Sequence, residues 1–65
     1  MLFATRLVLP DSVRAEITID LRTVSAAQKI HGRGGTLVWC AGTFNPHHIE
    51  TKYKDFLNAW EASRT

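Results

Sequence analysis

The chain has 65 residues, with eight Lys/Arg against six Asp/Glu for a net charge of +2, and a single cysteine. One cysteine excludes a disulfide-built secreted scaffold, and no apolar run approaches the ~20 residues that a membrane-spanning helix needs. A surplus of two charges is too small by itself to mark a polyanion binder, so the chain reads as one soluble, cytoplasmic domain over residues 1–65 with a single small core.

The N-terminal stretch MLFATRLVLP is interrupted by Arg6 too early for a secretory apolar segment. Leu2 to Leu9 instead reads as a strand of β-branched and large apolar residues. It stops at Pro10–Asp11–Ser12, where the proline ring presets φ and the next two side chains can bond back to the backbone. Ala15 to Arg22 is the cleanest pattern in the chain. Ala15, Ile17, Ile19 and Leu21 alternate with Glu16, Thr18, Asp20 and Arg22, as in a strand with one buried and one wet face. The short turn makes the two runs a hairpin.

The stretch TVSAAQKIHG then changes period. Ser25 and Gln28 have capping-box spacing, with Thr23 as the alternative cap. Ala26, Ala27 and Ile30 give a small apolar face, and Gly32 supplies a stop, so a short helix is expected. At about two and a half turns it would need tertiary packing to exist. A strand follows, TLVWCAGTF, apolar on both sides: Leu37, Trp39 and Ala41 on one, Val38, Cys40 and Phe44 on the other. Such a strand is either central and covered on both faces or half of an interface.

Asn45 is a suitable N-cap and Pro46 fits a first helical position. Ile49, Tyr53, Phe56, Leu57 and Trp60 then form one apolar stripe of a helix running to about Ser63, with Glu50 and Lys54 as an i,i+4 pair on the wet side. The expected fold is α+β: ββαβα order, a mainly antiparallel three-stranded sheet and two helices, with a right-handed crossover setting the third strand parallel to the second.

Little in this pattern supports chemistry. His47 and His48 would diverge by about 100° on a helix, and no i,i+3 or i,i+4 metal pair exists. Cys40 at mid-strand reads as a small hydrophobe rather than a thiolate nucleophile. The glycines of HGRGGT lie between a helix and a strand, the reverse of a phosphate loop, and read as a tight turn. No catalytic residue, metal ligand or cofactor site is expected, and the chain reads as non-enzymatic.

What remains is surface. Lys29, His31 and Arg33 form a basic cluster, with Arg6, Arg14 and Arg22 on or near the hairpin, whereas Lys52 and Lys54 are neighboured by Glu50 and Asp55. If both helices cover one sheet face, the other presents an apolar centre with a charged rim, the anatomy of a protein interface. The helices could equally sandwich the sheet. The stretch from Ala15 to Gly42, with its strand, VSAAQKI, glycine turn and second strand, resembles parts of small phage-encoded anti-CRISPR proteins. That resemblance implies a non-enzymatic inhibitor that blocks a larger nucleoprotein machine by occupying a surface. The expected function is therefore protein binding through Arg6, Arg22, Lys29, Arg33 and Phe44. Nucleic-acid binding through the basic cluster is the second reading, and a structural homodimer the third.

Overall fold

In the computed structural model, which describes residues 1–10, 13–32 and 34–64, the N-terminal hairpin forms as its alternation predicts. Strands β1 (Leu2–Val8) and β2 (Arg14–Asp20) pair antiparallel from Leu2 opposite Asp20 to Val8 opposite Arg14. The Leu9 N–H donates to the Val13 carbonyl at 3.1 Å where the chain reverses; Asp11 and Ser12, expected in this turn, lie outside the described residues. Beyond β2, Leu21–Thr23 forms one 3-10 turn. Asp20 caps it, its carboxylate accepting the Arg22 N–H, while the Thr23 hydroxyl donates to the Asp20 carbonyl.

From here the fold departs from the ββαβα expectation. The VSAAQK segment is not a helix but strand β3 (Val24–Lys29), paired antiparallel with β4 (Thr36–Cys40). The capping box does not form, because the Ser25 hydroxyl donates to the Trp39 carbonyl across the strand pair. The second expected helix is split. His47–Ile49 adds strand β5 between β4 and β1, and only Tyr53–Arg64 is helical, as α1. Among the described residues the domain is thus α+β with five antiparallel strands in the order β2-β1-β5-β4-β3 and one helix, and the three-stranded sheet, the second helix and the parallel crossover are all absent.

The strand order dictates the shape. The sheet's edge strands, β2 and β3, are consecutive in the chain and are joined only by Leu21–Thr23. Five strands laid flat would separate those edges by ~19 Å, whereas the four peptide units from Asp20 to Val24 reach at most ~15 Å. The sheet must therefore curl toward closure, and its concave face becomes the core.

Ile19, Leu21, Val24, Val38 and Ile49 line that face, and Phe56 of α1 is buried among them at 0% exposure. The Phe56 ring meets Phe3 edge-on, with centroids 5.5 Å apart at 89°, and Trp60 follows at 6.2 Å. Cys40 is half-buried against this cluster, as expected of a small hydrophobe. The one buried polar side chain among the described residues, Thr36, donates to the Thr51 carbonyl at 2.8 Å, and the Thr5 and Thr51 hydroxyls bond at 2.6 Å. These bonds satisfy the polar groups where the chain leaves β5 for α1. No helix is long and apolar enough to cross a membrane, among the described residues.

The 3-10 turn also carries the strongest electrostatic feature. The Arg22 guanidinium donates to both oxygens of Asp20, at 3.2 and 2.9 Å, and with the Arg22 backbone N–H it holds that carboxyl down at about 2, against an ordinary 3.8. The sign follows from linkage. A carboxyl depressed in the folded state contributes stability that is fully present above its unfolded value and is lost as pH falls through the folded one. The wild-type melting temperature should therefore drop between about pH 4 and pH 2 more steeply than that of Asp20→Asn, which keeps a capping oxygen but no charge. Parallel acid titrations of the two proteins would count against this role for Asp20.

Candidate interaction site

Alternation along β4 separates two sets of side chains. Thr36, Val38 and Cys40 turn to the core, which leaves Leu37 and Trp39 on the convex face, the one α1 does not cover. Pairing sets Ala26 of β3 beside Trp39, and Gln28 and His48 on either side of Leu37. An apolar centre of Trp39, Leu37 and Ala26 results, with polar neighbours. Of the two sides expected along this strand, that of Leu37 and Trp39 is the one left uncovered. Val38 and Cys40 are inside, and Phe44 is not part of the strand at all.

Phe44 lies in the 41–46 connection between β4 and β5, and its side chain is 99% exposed. The connection is built rather than slack. The Ala41 N–H donates to the Thr23 carbonyl at 2.7 Å, Gly42 takes a positive φ of 86°, and both the Thr43 N–H and hydroxyl donate to the Cys40 carbonyl. The bond from Ala41 to Thr23 sets this loop beside the 3-10 turn, so Phe44 and Arg22 share one end of the β3–β4 pair.

The other expected contact residues are dispersed. Lys29 closes β3 at the opposite end, about 16 Å along the strand from Val24. Arg6 is on the convex face of β1, opposite Glu16, and its guanidinium is 3.9 Å from Glu50; Arg14 reaches the same carboxylate at 3.5 Å. Such exposed pairs contribute at most about 1 kcal/mol, but they neutralise the β1–β2 half of the face. The Glu50–Lys54 helical pair does not exist, since Glu50 precedes α1. Arg33 lies outside the described residues.

The stretch from Trp39 to Glu50, with its two histidines, is the β4–β5 hairpin rather than the entry to a helix. His47 and His48 do diverge, but because adjacent strand residues point to opposite faces: His47 pairs with Val38 on the inner side and His48 with Leu37 on the outer. Among the described residues, no three His, Cys, Asp or Glu side chains converge on one point.

Two clefts missed by the sequence reading flank the turn between β3 and β4. The larger, about 740 Å³, runs from the β1–β2 turn past Arg14, His48 and Glu50 to Lys52. The smaller, about 320 Å³, has Ile30 and Tyr53 as its apolar wall and Lys29, Lys52 and Lys54 at its rim. Gly34 and Gly35 form part of both. No family model, no curated protein and no solved structure matches the chain.

Proposed function

We propose that this domain is a non-enzymatic protein-recognition module whose binding surface is centred on Trp39 and Leu37 and anchored by Phe44. The observation that carries this reading is Phe44 itself, a phenylalanine held 99% in solvent by a hydrogen-bonded loop beside an uncovered apolar strand face. Burying such a ring in a partner recovers roughly 1.5–3 kcal/mol, the scale of an interface hot spot. The Arg6–Glu50–Arg14 ion-pair group on one side and Arg22 near the loop supply the polar rim. Inhibition of a larger nucleoprotein machine, which the anti-CRISPR resemblance implies, is one form this activity would take: a rigid small domain occupying a surface.

The test uses the immobilised chain in lysate, with nuclease, and compares wild type with Phe44→Ala and Trp39→Glu. A protein captured in stoichiometric amount by wild type should bind Phe44→Ala at least about 30-fold more weakly, the loss typical of an anchor. Trp39→Glu should abolish capture. Both substitutions alter convex-face or loop residues outside the core, so circular dichroism should be unchanged. A partner retained equally by both variants would remove this surface from consideration. Sedimentation that shifts with concentration, and is abolished by Trp39→Glu, would assign the same face to a second copy of the chain.

A further inference from the structure

The ion pairs of this domain are unevenly placed. Arg6 and Arg14 share Glu50, while Arg22 and the N-terminal ammonium share Asp20. The three lysines on the rim of the smaller cleft, Lys29, Lys52 and Lys54, are exposed and have no carboxylate among the described residues within ion-pair distance. Glu50, the carboxylate lining the larger cleft, is occupied by two arginines, and Asp55, though next to Lys54 in the chain, lines neither cleft. Positive charge without a counter-charge collects around one turn.

The interior of that cleft is of the opposite character. Its wall is Tyr53 and Ile30, both half-buried, and the backbone of Gly34 and Gly35, which leaves the aromatic ring approachable from the lysine rim. At about 320 Å³ the space is large enough to take a planar ring system. Ammonium groups around an aromatic wall are the two components with which proteins hold single-stranded nucleic acid: phosphates on the cations, a base against the ring. A duplex presents phosphates but keeps its bases stacked away from such a wall. An acidic peptide would satisfy the lysines and leave the slot empty.

We infer that the Lys29–Lys52–Lys54 cleft is a single-stranded nucleic-acid site, with Tyr53 as the stacking platform for one base. The site stands apart from the Phe44 loop, at the other end of β4, and does not rest on the protein-recognition reading.

The experiment is fluorescence anisotropy of a labelled oligothymidylate of about twelve nucleotides with the full chain, at about 50 and 200 mM salt. Three phosphate contacts on a single strand give a slope near −2 in log K against log salt, so affinity should fall roughly 20-fold across that range. The triple variant Lys29→Glu, Lys52→Glu, Lys54→Glu should abolish binding. Tyr53→Leu, which keeps apolar bulk but removes the aromatic face, should weaken it at least about fivefold with the salt slope unchanged. Circular dichroism and thermal melts establish that each variant is folded. Absence of binding by wild type at the lower salt, binding that survives the triple reversal, or a Tyr53→Leu protein indistinguishable from wild type would each overturn the assignment. So would tighter binding of a duplex of the same length, or equal competition by inorganic polyphosphate, since both would show charge without a base.

Discussion

Replacing Phe56 with alanine is expected to cost about 3–5 kcal/mol, the range for deleting a large aromatic side chain from a packed interior. For a domain of 65 residues, whose whole stability is roughly 3–10 kcal/mol, that is enough to leave the chain partly or wholly unfolded at room temperature. The size of the effect follows from position. Phe56 is the fully buried side chain that α1 contributes to the curled sheet, and it meets Phe3 from β1 edge-on as well as the helix's own Trp60. Its loss removes apolar burial, an aromatic pair and the attachment of the helix at once. A milder variant keeps the experiment readable: Phe56→Leu retains most of the volume and should cost roughly 1–2 kcal/mol, mainly through the lost ring pairing. Urea denaturation followed by tryptophan fluorescence reads both, because Trp60 packs against the substituted ring. If Phe56→Ala shifted stability by less than about 1 kcal/mol, α1 would not be seated on the sheet as described.

The elements that were legible in the sequence were those whose period was unbroken. Ala15, Ile17 and Ile19 alternate without interruption and declare β2; Phe56 and Trp60 stand four apart and declare the helical face of α1. The errors came from places where one period imitates another. Strand β3 contains a bulge between Val24 and Ala26, which shifts the alternation by one residue. Its inward side chains are therefore Val24 and Ala27, three apart, as on a helix, and small helix-favouring residues between them completed the disguise. Val24 itself is the discriminating residue: β-branched, lying between the two candidate caps Thr23 and Ser25, and buried in the core.

At the other error, Ile49 and Phe56 both reach the core at a spacing of seven, which fits one helical stripe, yet Ile49 arrives from a strand and Phe56 from a helix. Asn45–Pro46 has the pattern of a helix start but belongs to the β4–β5 connection. The lysine cleft was hidden for a different reason. Lys29 is more than twenty residues from Lys52 and Lys54, and Glu50, near the latter pair in the chain, is paired in the fold with Arg6 and Arg14. Charge balance along a chain says little when the fold re-pairs the charges.

The turn that separates the two clefts offers the sharpest test of this packing. Gly35 has a φ of +86°, and a Cβ built on it would lie 2.6 Å from the Ile49 carbonyl oxygen and 3.1 Å from His48 Nε2. Gly34, its neighbour, has a φ of +74° and open space within 4 Å of the same position. Alanine at Gly34 should therefore pay only for the left-handed conformation, about 1–2 kcal/mol. Alanine at Gly35 pays that and must also push β5 backbone away from the start of β4, where Thr36 pairs with Ile49. Backbone gives less readily than a side chain, so the total should exceed about 3 kcal/mol, comparable with losing a core aromatic. Thermal melts of the two single variants isolate the contact, because their difference cancels the conformational term that they share. A gap of more than about 1 kcal/mol places the β3–β4 turn against β5 as described; equal losses would mean the turn stands off the sheet, and the wall common to both clefts would go with it.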